Sequence, residues 1–215
     1  MMPETVTRRS RLTEEAARRT PRQRPITLLR VAFALAIGPC WAAVARAASG
    51  EDARWLYDAG APWAAAAFGA AWLLPFRPVA ARMLAAFVTL ALGLVVYYLP
   101  YPPSVLWLGF AVVAAAFYGL LGWWRSRGVS GWKDVAVAGA VGGPFFLQAS
   151  WSMLSPYGAG EGTLVFAIAG AVVSAASARS PRARLLAPVA AVFAGAALFM
   201  AIWAVAGSSL ATELL

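Results

Sequence analysis

Seven apolar runs, joined by short connections that alternate between strongly basic and almost free of basic residues, constrain this chain more than any other feature. They lie near Ile26–Ala48, Ala61–Phe76, Met83–Leu99, Ser104–Trp124, Val135–Trp151, Gly162–Ala178 and Leu185–Gly207. A helix crossing bilayer hydrocarbon needs about 20 residues, within a range of roughly 17 to 25. Only the second run is short by that measure. The composition agrees: 61% of the 215 residues are hydrophobic and 13% charged, where a soluble domain is about half apolar and roughly a quarter charged. Such a chain lacks the polar surface to coat a water-soluble globule. Ten Trp, no glycine period and a single Cys also exclude disorder, collagen and a disulfide scaffold. The expectation is an all-α membrane protein, a bundle of seven transmembrane helices over residues 26–207. A basic cytoplasmic tail (1–25) precedes it and a short extracytoplasmic end (208–215) follows.

The charges orient the bundle. On one side fall the basic residues of the tail and Arg30, then Arg77 and Arg82, then Arg125, Arg127 and Lys133, then Arg179, Arg182 and Arg184. The other side has Arg46 and Arg54. Lys and Arg accumulate in cytoplasmic loops, so the N-terminus is expected in the cytoplasm of a bacterial cell and the C-terminus outside the plasma membrane. Aromatic residues mark the same two boundaries. Trp55, Tyr57, Trp63, Tyr97, Tyr98, Tyr101, Trp151 and Tyr157 cluster at the outer one, and Trp72, Trp123, Trp124 and Trp132 at the inner. Indole and phenol rings favour the headgroup zone. In the tail, Pro21 and Pro25 are expected to break any helix, and the arginines can touch anionic lipid headgroups.

The first run ends in Ala45-Arg46-Ala47, a small-x-small pattern like a signal-peptidase site. Cleavage there would leave six helices. The long tail and Arg46 beside the cut favour an uncleaved anchor. Pro39 before Cys40 disfavours a lipoprotein box, and Arg30 and Arg46 can snorkel to opposite interfaces.

Few groups capable of chemistry remain. The chain has no His, which removes imidazole bases, Ser-His and Cys-His pairs and His-ligated metals. None of its nine carboxylates lies in the middle of an apolar run, where ion-coupled transporters place one. Lys133, the only lysine, sits beside Asp134 at a helix edge rather than deep in the bundle. No phosphate loop, metal motif or nucleophile elbow is present, so no cofactor, metal or nucleic-acid partner is expected.

The fifth run is the least lipid-like. Pro144 lacks an N–H and crowds the preceding turn, so a kink is expected near Gly143, with carbonyls near Ala140 left free. Gln148 lies one turn on, on the face of Pro144, and its amide should face the bundle. The simplest role for it is a bond between helices. The functional alternative is a ligand site lined by Gly143, Pro144, Gln148 and Ser150 or Ser152, since broken helices form substrate sites in transporters. Gly139 and Gly143, Gly170 and Ser174, and Ala191 and Gly195 are small-xxx-small pairs that let backbones approach closely, within the chain or in an oligomer. Outside, Glu51, Asp52 and Asp58 resemble the acid pairs that follow a first helix in lipid-phosphate glycosyltransferases. A solvated acidic loop is the plainer account. Glu161 is placed to cap the sixth helix.

The Tyr97-Tyr98 segment, the Gly119-Leu120-Leu121-Gly122-Trp123 turn and Gly142-Gly143-Pro144-Phe145 together resemble small multi-pass bacterial membrane proteins, actinobacterial in type, of a family without assigned function. The likeness runs thinly from about Ala61 to Ala178, and it implies a helical bundle and no particular activity. Three functions are therefore carried, in this order: a structural or interaction component of the membrane, a transporter or binding protein for a neutral or lipidic molecule, and an enzyme on lipid-linked substrate at the outer face.

Overall fold

The computed structural model describes residues 23–47, 60–75, 78–154 and 161–214, and all of its regular structure is helical. Among the described residues seven helices follow one another: α1 (Gln23–Ala47), α2 (Ala61–Leu73), α3 (Val79–Tyr98), α4 (Val105–Ser126), α5 (Trp132–Leu154), α6 (Glu161–Ser177) and α7 (Pro181–Leu214). Residues 1–22 of the basic tail, and the outer loop carrying Glu51, Asp52 and Asp58, lie outside the described residues.

Each apolar run becomes one helix, with boundaries that move for local reasons. α1 includes Pro25, contrary to the expected break, because a proline in a first turn removes an N–H that has no partner there anyway. α2 stops at Leu73, before Pro75 and Pro78, a proline pair that cannot continue it. Ser104 caps α4, its Oγ accepting from the Trp107 N–H at 3.4 Å. Gly119 to Trp123 form no turn. They lie inside α4, where the bare faces of Gly119 and Gly122 admit Met83 of α3 and Ala71 of α2. The connection from α4 to α5 does turn on glycine, with Gly128 and Gly131 both at positive φ.

The packing divides into two groups. α1, α2, α3 and α4 pack on one another, α5, α6 and α7 do the same, and α2 against α5 is the main seam between the groups. α2 is the hub, touching α1, α3, α4 and α5. Its 13 residues reach about 20 Å, less than the roughly 30 Å of bilayer hydrocarbon. It is nonetheless apolar all round and mostly buried, as an interior helix must be. α1, α3, α4 and the Pro181–Ile202 part of α7 are long and apolar enough to cross a membrane, while α6 is shorter.

The distribution of side-chain size settles the solvent. The interior is built largely from Ala and other small residues, among them Ala34, Ala67, Ala71, Ala86, Ala138, Ala187 and Ala191, with a few larger side chains such as Phe68, Leu90 and Phe145. Leu84, Phe110, Val113, Leu164, Val172, Leu185 and Phe193 face outward. A water-soluble monomer rarely exposes contiguous apolar surface beyond a few hundred Å². Here bulky apolar groups cover the outside of α1, α3, α4, α6 and α7. The protein is embedded in a membrane.

Candidate functional site

The residues that the sequence singled out on α5 take up separate positions. α5 runs through Pro144 as one helix over Trp132–Leu154. Gly143 faces α7, where a Cβ on it would stand 2.9 Å from Cβ of Ala194. Gly139 packs likewise on Ala190, and Gly142 sits against Gly170 and Ser174 of α6 and Ala191 of α7. All three small-residue pairs thus close contacts within the chain. Gln148 turns to α2, its Oε1 accepting from the N–H of Gly60 at 3.3 Å. Gly60 is the N-cap of α2 and offers no side chain of its own, so the amide of Gln148 supplies the missing cap. Ser150 is exposed, and its hydroxyl donates to the Phe146 carbonyl at 2.9 Å. Ser152 does the same to the Gln148 carbonyl at 2.9 Å.

A second polar device lies between α1 and α3. Pro39 has no N–H, so the carbonyl of Leu35, four residues earlier, loses its helical partner. Thr89 of α3 is fully buried and its hydroxyl donates to that carbonyl at 3.1 Å. The same Oγ1 accepts from the Gly38 N–H at 3.0 Å. Gly38 has to be glycine here, because a Cβ would collide with the Thr89 backbone. In hydrocarbon no water can satisfy these groups, and a neighbouring helix must.

The charged residues gather where helix ends meet. Arg82, at the start of α3, is buried and donates to the carbonyls of Ala71 and Trp72 at the end of α2. Trp72 also lies beneath the guanidinium of Arg125, whose Cζ is 5.3 Å from the ring centre. Arg125, at the end of α4, forms a buried ion pair with Asp134, at the start of α5, at 2.9 Å. Asp134 is 1% exposed. It accepts further bonds from the backbone N–H of Arg179 at 3.0 Å and of Ser180 at 3.1 Å. These amides precede α7, so the carboxylate also faces the positive end of that helix dipole. One chain of contacts thus joins the ends of α2, α3, α4 and α5 to the α6–α7 turn.

The opposite ends carry different chemistry. Arg46, closing α1, donates to the Val96 carbonyl near the end of α3 at 3.3 Å, beside a shallow apolar crevice lined by Ala43, Ala47, Val96 and Leu99. Trp63 at the start of α2 meets Tyr97 edge to face at 6.1 Å.

No protein-family model, curated protein or solved structure matches the chain. Sequence reasoning set Asp134 aside as the neighbour of Lys133 and passed over Thr89. The signals were there: Asp134 is the only carboxylate between the basic connections on its side, and Gly38-Pro39 inside an apolar run announces a backbone gap that another helix must fill.

Proposed function

We propose that the protein is a multi-pass component of the bacterial plasma membrane with a structural or interaction role, its N-terminus cytoplasmic and its C-terminus extracytoplasmic. The observation that carries this reading is the use of polar groups on the helices to join one helix to another. Thr89 bonds across the Gly38-Pro39 gap, and Gln148 caps α2. Glycine faces on α4, α5 and α7 are closed by direct contact with neighbouring helices. A bundle fastened in this way suits a fixed platform better than one that must open and close around a solute. The transport reading would need Gly143, Pro144, Gln148 and Ser150 to share one cavity, whereas Gly143 is directed to α7, Gln148 to α2 and Ser150 outward. The orientation draws support from Arg82, Arg125, Arg127, Lys133 and Arg179 lying at one set of helix ends.

The test is the state of the protein in its own membrane. In mild-detergent extracts of host membranes, a platform migrates on native gels within a larger assembly. Migration as a free chain, or saturable solute uptake by proteoliposomes, would overturn the reading.

A further inference from the structure

The basic helix ends hold two buried guanidiniums and one buried carboxylate. Asp134 is occupied by Arg125 and by the Arg179 and Ser180 amides, while Arg82 is bound by carbonyls. The interior of the cluster therefore keeps an excess positive charge. Around it stand exposed cations for which the described side chains at this end offer no carboxylate but Asp134. Arg127 lies over the Trp123 ring with Cζ 4.1 Å from its centre, and Lys133 lies over Trp132 at 5.9 Å. The Arg179 guanidinium rests on Gly128, where its Nη1 is 2.8 Å from the place a Cβ would take. Gly128, which follows Arg127 in the chain, has no Cβ to exclude Arg179 from that place. Trp72, Trp124 and Trp132 at the same ends are exposed, and indoles settle at headgroup depth.

From this geometry we infer that the Arg127–Gly128–Arg179 ridge, flanked by Lys133, binds the phosphate of an anionic phospholipid whose acyl chains lie along the bulky apolar exterior. Guanidinium groups suit phosphate oxygens through paired N–H donors. The indoles of Trp123 and Trp132 hold Arg127 and Lys133 at headgroup level, so these cations are partly ordered before the lipid arrives. The site belongs to the folded bundle and is distinct from the basic tail. It does not depend on which partner the platform serves.

The experiment uses the full chain purified in neutral detergent, with thermal unfolding followed while dioleoylphosphatidylglycerol or dioleoylphosphatidylcholine is added. The expected result is a saturable rise in Tm with phosphatidylglycerol that exceeds the rise with phosphatidylcholine. With each surface cation worth about fivefold in affinity, the Arg127→Gln, Lys133→Gln, Arg179→Gln variant should bind on the order of a hundredfold more weakly. Arg127→Lys with Arg179→Lys, which keeps the charge but loses the paired donors and controls for folding, should bind with an affinity between those of the triple-Gln variant and the parent. Neutralising Arg8, Arg9 and Arg11 in the tail should leave it in place. Equal shifts with both lipids would overturn the proposal. So would an unchanged affinity in the triple-Gln variant, loss of the shift in the tail variant alone, or an equal shift with inorganic phosphate or polyglutamate in place of lipid.

Discussion

Thr89 and Asp134 are single residues on which several backbone groups depend, and that dependence sets the cost of replacing them. Thr89→Val keeps the shape and removes the hydroxyl that bonds the Gly38 N–H and the Leu35 carbonyl, leaving that carbonyl, whose helical donor Pro39 removes, unpaired. A buried group without its partner costs about 1–3 kcal/mol, so this variant should unfold earlier in a denaturant titration of the detergent-solubilised protein. Thr89→Ser, which keeps the oxygen, should stay close to the parent. Asp134→Ala strands Arg125 and uncaps α7 together. Removing one partner of a buried ion pair costs roughly 3–5 kcal/mol. Asp134→Asn, able still to accept from the α7 amides, should fall between Asp134→Ala and the parent in the same titration.

At the scale of helices, glycine separates positions of contact from positions of open surface. Gly119 of α4 lies so close to α3 that a Cβ would stand 2.6 Å from the Met83 Cα, whereas nothing lies within 4 Å of the corresponding point on Gly109. Gly109→Ala relieves the entropic penalty of glycine inside a helix and should stabilise α4 by about 0.5–1 kcal/mol. Gly119→Ala must push α3 and α4 apart and should lower the unfolding midpoint. Identical substitutions ten residues apart on one helix therefore change stability in opposite directions, and a pair of thermal scans decides it. α2 follows the same logic. It is too short to cross hydrocarbon unaided, yet its neighbours cover it, so it need not meet lipid along its length.

For the molecule as a whole, the polar bonds place helix ends in two sets. Trp72, Arg82, Arg125, Asp134 and Ser180 fall in one. Arg46 and Val96, with Trp63 and Tyr97, join the C-terminal ends of α1 and α3 to the start of α2 at the other. Once exposed Cys40 has been replaced by Ala, single cysteines at Ser180 and Tyr101 should react with a membrane-impermeant maleimide from opposite sides of the membrane. Labelling of both from the same side of sealed vesicles would end the proposed topology.

Read alone, the sequence determined the class, the number of helices among the described residues and the charge bias of their ends. Each of these rests on a periodic or compositional property that no tertiary contact can reverse: apolar runs of helical length, and arginines at every second connection. Helix boundaries were legible to within a few residues, with proline acting by position as Pro25 and Pro75 show, except at the end of α7, which runs to Leu214 rather than Gly207. The tertiary structure decided which polar groups meet. Gln148 was readable as a group in need of a partner, but that partner is a backbone amide 88 positions away. Asp134 looked like an edge residue until α4 and the α6–α7 turn closed over it. A buried polar atom states its need locally, through the loss of water, while the group that meets it arrives from another helix and is fixed only by how the small-residue faces dock.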